Sequence, residues 1–214
     1  MMALADHEIA SRVHYHEDDL DISPYDETNL QPASYDLRLG REFKVLKRPS
    51  LWERFKHGVL SRIPFSNVDP AHRDPRDEET TERHVRLQEG ESFILGAHDF
   101  VLAHTQEAVR VPDDVVGVVH GRSSWARLGV DPHLGGYIDP GFHGQITLEL
   151  CNQTDTPIKL YVGQRFCQLA FHEMNEAASD PYDGKYQGDA GAHGTRLHDE
   201  DDDAPPSVET FFSS

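Results

Sequence analysis

The chain has 214 residues, enough for one domain with extensions or for two small domains. Its formal net charge is −18, and so acidic a surface repels nucleic acid and anionic lipid, which excludes both as general partners. The start, MMALADHEIASRV, lacks the pattern of a signal peptide, and no apolar run reaches the length of a membrane span, so a cytoplasmic protein is expected.

The charged residues carry a second compositional signal. The basic residues are mostly Arg, with only five Lys, and an acid-rich, Lys-poor chain favours a halophilic host in which salt screens the surface. The two cysteines, Cys151 and Cys167, form neither a disulfide framework nor a C-x-x-C metal pair. They are expected to be small buried residues in a reducing compartment.

The first predicted elements are a helix and a strand region. Residues 5–13 favour a short helix, with Asp6 as its cap and Ile9 and Val13 one turn apart. Residues 14–28 are acidic and are predicted to be irregular.

The stretch LQPASYDLRLGREFKVL, residues 30–46, has the period of a β-strand. Tyr35, Leu37 and Leu39 are predicted to point to one side. Asp36 and Arg38 are predicted to point to the other.

Residues 47–84 break the pattern and become rich in Pro and charge, which predicts an exposed insertion. After it, short runs of Val, Ile, Leu and Phe, punctuated by Gly and Asp-Pro, predict an all-β sandwich or barrel-like domain that spans 1–175. Residues 176–198 lose this periodicity. The acidic end, 199–214, is expected to be disordered.

The motif GRSSWAR follows the predicted strand DDVVGVVH. Its Ser123 and Ser124 hydroxyls, together with Arg122 and Arg127, form a candidate anion cradle, since guanidinium groups bind phosphate oxygens in a bidentate manner. WARLG favours a helical turn whose N-terminus adds a favourable dipole. The alternative reading is a serine helix cap with surface arginines.

The stretch GGYIDPGFHGQITLEL follows closely. Gly135 and Gly136 permit a positive φ or a close backbone approach to a flat ligand. The turn residues at 139–144 predict a hairpin.

In the returning strand, Glu149 shares a face with the polar side chains of Gln145 and Thr147. A half-buried carboxyl there would have a raised pKa, which suits a proton shuttle. The alternative is an ordinary Glu that faces solvent.

Five pieces in order resemble the dCTP deaminase/dUTPase family: LQPASYDLRLGREF, GRSSWARLG, IDPGFHGQITLEL, VGQRFCQLAF and GKYQGDAG. The resemblance implies a mainly β fold of the trimeric dUTPase type, a distorted barrel or jelly roll with a short N-terminal helix. It also implies a homotrimer, or a hexamer of two trimers, with active sites between subunits. The substrate would be a deoxypyrimidine triphosphate that carries Mg²⁺ on its phosphates.

The resemblance assigns roles by position. Glu149 matches the proton shuttle of the deaminases, Asp139 the aspartate at the 3′-hydroxyl of the deoxyribose, and residues 176–198 a segment that closes the site. Ser123 and Arg127 would position the water and the pyrimidine. The implied substrate-binding residues are Arg122, Ser123, Ser124, Trp125, Ala126, Arg127, Asp139, Thr147, Leu148, Glu149, Gln168, Tyr182, Lys185 and Asp189.

Two departures from the deaminase pattern leave alternatives open. DPHLGGYID keeps His133 but lacks a Thr-Ala pair and is one residue shorter, as in dUTPases, and Asp189 replaces a glutamine. Glu149 nevertheless favours a dCTP deaminase, working without zinc because the chain has no P-C-x-x-C, and stopping at dUTP or continuing to dUMP. The second hypothesis is a dUTP diphosphatase without deaminase activity, and the third is a nucleotide sensor without catalysis.

Overall fold

The structure is a computed structural model that describes residues 2–15, 20–46, 52 and 81–196. Its helices and strands lie in one compact unit made of Met1–Lys47 and Thr81–His193. A second unit, Arg48–Thr80 with Gly194–Ser214, falls almost wholly outside the described residues. The acidic tail and most of the predicted insertion therefore lie outside them too.

The helical elements are α1 (Asp6–Tyr15), a 3₁₀ turn (Glu27–Asn29) and α2 (Ser123–Ala126). The strands are β1 (Met2–Ala3), β2 (Asp21–Ser23), β3 (Leu30–Gln31), β4 (Ser34–Arg38), β5 (Glu42–Leu46), β6 (Thr81–Arg86), β7 (Ser92–Leu95), β8 (Phe100–Arg110), β9 (Val115–Gly121), β10 (Val130–Asp131), β11 (Tyr137–Ile138), β12 (His143–Asn152), β13 (Ile158–Tyr161) and β14 (Arg165–Glu173).

Two antiparallel sheets hold most of these strands. The first has the order β11-β9-β14-β4-β3, with β1 also paired to β14, and the second has the order β10-β12-β8-β5-β6, with β2 also paired to β8. Strands β13 and β7 form a small third sheet. The predicted mainly β, jelly-roll-like fold with a short N-terminal helix is confirmed, although the described sheets stay open and do not close into a barrel.

Helix α1 is longer than predicted, and its predicted cap is wrong. The helix continues to Tyr15, and Asp6 is its first residue. The Asp6 carboxylate accepts a hydrogen bond from the adjacent His7 N–H at 2.7 Å, whereas a cap would accept one from two or three residues further on. Ile9 is fully buried, as the apolar spacing predicted.

Residues 20–31 are more regular than their acidic composition suggested. They contain β2, the 3₁₀ turn and β3. Ile22 of β2 is buried and lies opposite Val109 of β8. Pairing with a distant strand thus imposes an extended backbone that the local sequence does not reveal.

The predicted insertion connects two neighbouring strands. Strands β5 and β6 pair in antiparallel register with Leu46 opposite Thr81, so the chain leaves and re-enters the sheet at the same place. The last four residues of the predicted 47–84 segment belong to β6.

The hairpin predicted at 139–144 is wrong. Strand β11 pairs with β9 in the first sheet, whereas β12 pairs with β8 in the second, so this turn carries the chain from one sheet to the other. Gly141 has a φ of 88°, and its N–H donates to the Val111 carbonyl at 2.9 Å. That contact with the end of β8 turns the chain towards the second sheet.

Strand β12 has the alternation that its sequence predicts. Ile146, Leu148 and Leu150 are buried in the core, while Gln145, Thr147 and Glu149 are half-buried on the opposite face. The apolar face of this strand thereby fixes the direction of Glu149.

Among the described residues, no helix has the length and apolar character needed to cross a membrane.

Both cysteines are free thiols. Cys167 is fully buried, as predicted, whereas Cys151 is only half-buried. Burial raises the pKa of each thiol, which makes both poor nucleophiles at neutral pH.

Candidate active site

The arginine–serine cluster, residues 122–127, stands on the short helix α2. Ser123, Ser124, Ala126 and Arg127 are exposed, whereas Trp125 is buried and packs on Phe166 with ring centroids 4.9 Å apart. Arg122 occupies the cap position and makes no side-chain cap hydrogen bond. The hydroxyls therefore face outward on a turn that the buried indole anchors.

Arg122 is held by a buried carboxylate that the sequence did not single out. Its Nε lies 3.2 Å from Asp36 Oδ1, and Arg165 Nη1 lies 3.7 Å from Asp36 Oδ2. Asp36 lies on the face of β4 opposite Tyr35 and Leu37, as predicted, but that face is covered rather than open to solvent. Burial raises the pKa of Asp36, and the two arginines oppose that rise.

The Glu149 side chain is half-buried and bonded to a nearby loop. Its Oε2 accepts hydrogen bonds from the backbone N–H groups of Leu134 at 3.0 Å and Gly135 at 3.3 Å. It is thus not an ordinary strand Glu that faces solvent. The two backbone donors converge on one carboxylate oxygen and fix the direction of the side chain.

One loop, residues 132–136, connects the cluster to Glu149. A Cβ on Gly121, just before the cluster, would lie 3.3 Å from Pro132, and a Cβ on Gly136 would lie 2.8 Å from the Val119 carbonyl. The Val119 N–H donates to the Gly136 carbonyl at 2.7 Å. Gly136 therefore serves for close packing on β9, and neither Gly135 nor Gly136 has the positive φ that the sequence allowed.

The other residues that the resemblance implied differ in exposure. Asp139 is exposed just after β11. Gln168 is half-buried in β14 and lies opposite Asp36, which places it beside the arginine pair. Leu148 is fully buried, so only its backbone can reach a ligand.

The C-terminal segment, residues 182–193, runs alongside the first half of β12. Hydrogen bonds join the Tyr182 N–H to the Pro140 carbonyl at 2.8 Å and the Gly188 N–H to the His143 carbonyl at 2.8 Å. Further along, the Gln145 N–H donates to the Asp189 carbonyl at 2.8 Å. The segment thus approaches Glu149 along the polar face of its own strand.

Two charged side chains of this segment, Asp189 and Lys185, make contacts within the segment itself. The Asp189 side chain is only 11% exposed, and its Oδ2 lies 3.8 Å from His193 Nδ1. The His193 N–H also donates to Thr147 Oγ1 at 3.4 Å, whereas Lys185 Nζ lies 5.4 Å from the centroid of the Tyr186 ring.

Sequence analysis did not identify several of these groups as parts of the candidate site. Asp36 and Arg165 come from distant strands, and the donors of Leu134 and Gly135 are backbone atoms, which no residue type reveals. Within the described ranges, no group of three or more His, Cys, Asp or Glu residues is placed to hold a metal ion.

The fold and the site define a mainly β protein with two open sheets, an exposed arginine–serine turn and a loop-bound glutamate. Comparison with known proteins narrows this class. The sequence model of the dCTP deaminase-like family matches residues 3–174. The chain therefore belongs to the dCTP deaminase-like family.

Individual relatives agree with that assignment. The "dCTP deaminase, dUMP-forming" of Methanobrevibacter smithii is 46% identical over 161 residues, covering 73% of this chain and 73% of the relative. The "dCTP deaminase" of Natronomonas pharaonis is 40% identical over 203 residues, covering 92% and 95%. The solved 2′-deoxycytidine 5′-triphosphate deaminase of Agrobacterium tumefaciens has a TM-score of 0.56 at 21% identity and covers 80% of this chain but 48% of that chain, so it supports the fold alone.

Proposed function

We propose that this protein deaminates dCTP, bound with Mg²⁺ on its phosphates, and converts the resulting dUTP to dUMP and diphosphate. The observation that carries the proposal is the half-buried Glu149 carboxylate, held by the Leu134 and Gly135 N–H groups of the loop that also packs against Gly121. The relative at 46% identity is named a dUMP-forming dCTP deaminase, which favours the two-step reaction.

In the first step Glu149 accepts a proton from a water molecule whose oxygen attacks C4 of cytosine. A C–O bond forms at C4, and Glu149 returns the proton to the amino nitrogen. The C4–N bond then breaks and ammonia leaves, so that one water is consumed for each ammonia released. Ser123 and Arg127 position the water and the ring, and the backbone of the 132–136 loop reads the edge of the base.

In the second step a water oxygen attacks the α-phosphorus of dUTP, and the bond to the bridging oxygen breaks to release diphosphate. Asp139 contacts the deoxyribose 3′-hydroxyl and orients this water. Arg122, Ser124 and Gln168 bind the phosphates, with Trp125 and Ala126 forming the turn that presents the hydroxyls. Tyr182, Lys185 and Asp189 belong to the segment that closes the site, and Thr147 and the Leu148 backbone lie against the base.

The proposed deamination uses no zinc: Glu149 accepts the proton of the attacking water, so that the nucleophilic hydroxide forms without a metal ion to lower the pKa of that water. The remaining expectations, namely a cytoplasmic halophilic protein and a homotrimer or a hexamer of two trimers with shared sites, stay predictions.

The test uses the full-length protein with dCTP and Mg²⁺ and measures ammonia and diphosphate together. Equal amounts of both products support the two-step reaction, and ammonia alone restricts the protein to deamination. Cleavage of dUTP with dCTP untouched would replace the proposal with a dUTP diphosphatase. Binding of both nucleotides without turnover would leave a sensor.

A further inference from the structure

Asp36 is a buried carboxylate in the middle of β4, with 1% of the residue exposed. Such a charge is costly unless cations and hydrogen bonds compensate it. Its cations are the guanidinium groups of Arg122 and Arg165, at 3.2 Å and 3.7 Å, and its Oδ2 accepts no hydrogen bond from the described residues. Both of these arginines lie at the edge of the candidate site.

The two arginines are also joined to each other. Arg122 Nη1 donates to the Arg165 backbone carbonyl at 3.0 Å, and Trp125 Nε1 donates to the same oxygen at 3.0 Å. The start of α2 is thereby fixed to the start of β14. The Arg122 guanidinium uses Nε and Nη1 in these contacts, which leaves Nη2 without a partner among the described residues.

The charges of this trio favour an anion. One carboxylate shared by two guanidinium groups leaves one net positive charge at the edge of the cluster, in a chain whose net charge is −18. An arginine already fixed by a carboxylate also loses less side-chain entropy when it binds phosphate, because its rotamer is set beforehand. Side chains of Arg122 and Arg165 are 27% and 45% exposed, so a ligand can reach both.

We propose that Asp36 is a positioning residue that fixes Arg122 and Arg165 as a two-armed phosphate site. The inference rests on the proposed function for its substrate, a nucleoside triphosphate with Mg²⁺. Asp36 itself touches no substrate and acts through Arg122.

The test compares wild type with Asp36→Asn, which keeps the shape and removes the charge. KM for dCTP with Mg²⁺ should rise about 10- to 100-fold, the loss that follows when a positioning group is displaced, while kcat changes less because phosphate binding is shared by ground and transition states. The dissociation constant of inorganic tripolyphosphate with Mg²⁺, measured by calorimetry, should rise by the same factor. Glu173→Gln removes a carboxylate that pairs with Arg12 at 3.0 Å at the far end of β14, and serves as the matched control with unchanged KM.

A double-mutant cycle with Arg122→Lys identifies the route. If Asp36 acts through Arg122, Asp36→Asn adds little in the Arg122→Lys background, whereas fully additive losses overturn the inference. An Asp36→Asn variant that melts at a lower temperature but binds tripolyphosphate as wild type does also overturns the inference.

Should Asp36→Asn fail to fold, Asp36→Glu keeps the charge and shifts it by one methylene. A partial loss of tripolyphosphate binding then supports the inference, and wild-type binding refutes it. Absence of dCTP turnover in wild type would end the proposed function, while the tripolyphosphate titrations would still decide this inference.

Discussion

The Glu149 carboxylate lies 3.0 Å from the backbone nitrogen of Leu134, so a loop that comes fifteen residues earlier in the chain holds the candidate proton shuttle. Because the donors are backbone N–H groups, the position of the carboxylate depends on the path of the loop and not on the side chains of the loop. The 132–136 loop and the acid are therefore one unit, and a change in either should affect the other.

Glu149→Gln should abolish ammonia release and leave the fold intact. The amide oxygen can still accept the Leu134 and Gly135 N–H groups, but an amide cannot carry a proton between water and the amine. We expect a loss of more than about 100-fold in kcat, the usual contribution of a general acid–base, with little change in melting temperature. Ammonia assays and thermal melts check this, and wild-type ammonia release would exclude Glu149 as the shuttle.

Asp139→Asn should impair diphosphate release more than ammonia release. Its exposed carboxylate is assigned to the sugar hydroxyl and to the water of the second step, so dUTP should accumulate from dCTP. Chromatography of the nucleotides measures the dUTP to dUMP ratio. Equal losses of binding for dCTP and dUTP, with no dUTP accumulating, would instead make Asp139 a sugar anchor only.

Gly136→Ala should destabilise the protein, whereas Gly135→Ala should not. A Cβ at Gly136 would meet the Val119 carbonyl at 2.8 Å, a backbone atom that cannot move aside, while a Cβ at Gly135 has no heavy atom within 4 Å. We expect a cost of about 1–3 kcal/mol at 136, typical of overpacking, and less than about 0.5 kcal/mol at 135. Urea unfolding of both variants provides the comparison, and equal costs would contradict the close packing.

Glu107→Ala should be strongly destabilising. Glu107 is fully buried in β8, and it accepts hydrogen bonds from Arg38 Nε at 2.6 Å and from the Arg38 backbone N–H at 2.8 Å. Removing Glu107 leaves the guanidinium of Arg38, whose side chain is 22% exposed, without this partner, which costs about 3 kcal/mol, the low end of the range for a broken buried pair.

The control for that variant is Glu8→Gln, which removes a 43% exposed carboxylate that lies 3.2 Å from Arg12. Because Arg12 keeps its pairs with Asp114 and Glu173, this change should cost less than about 0.5 kcal/mol. The free energies of unfolding in urea measure both. Similar costs for the Glu107 and Glu8 substitutions would rule out the account given for Glu107.

His104 should make stability depend on pH. Burial lowers its pKa below the ordinary 6.5, with its Nδ1 2.7 Å from the Thr105 carbonyl, so the folded state binds a proton less readily than the unfolded state. Stability from this group is complete above pH 6.5 and is lost as the pH falls through the folded pKa, by up to about 1.4 kcal/mol per pH unit.

The measurement is the difference in free energy of unfolding between wild type and His104→Gln from pH 7.5 to pH 5. That difference should change in favour of the variant on acidification. A constant difference would show that the pKa of His104 is the same in the folded and unfolded states.

The alternation within β12 could be predicted from sequence because it depends only on neighbouring residues, and it correctly placed Glu149 on a polar face. The partners of a strand could not be predicted in this way. The turn after Asp139 has the residues of a hairpin, but the contact of Gly141 with Val111 sends the chain to the other sheet. Local pattern carries no information about that contact.

Asp36 shows the same limit for burial. Sequence analysis correctly placed Asp36 on the side opposite Tyr35 and Leu37 but gave no sign that this side is buried. The carboxylate is buried and pairs with guanidinium groups that come 86 and 129 positions later in the chain. The candidate site was therefore predictable where one short motif supplies it, as at 122–127. Its supporting charges come from strands that only the folded topology brings together.

The absence of a side chain at Gly144 has a consequence for how this family member can vary. A methyl group there would press on the Asp189 carbonyl at 2.9 Å, at a residue whose φ is 147°. The C-terminal segment, residues 182–193, is held on β12 mainly through its own main-chain atoms, so many of its side chains can be exchanged without loosening it. We therefore expect natural or designed variants to change the side chains of residues 182–193 more often than they replace Gly144.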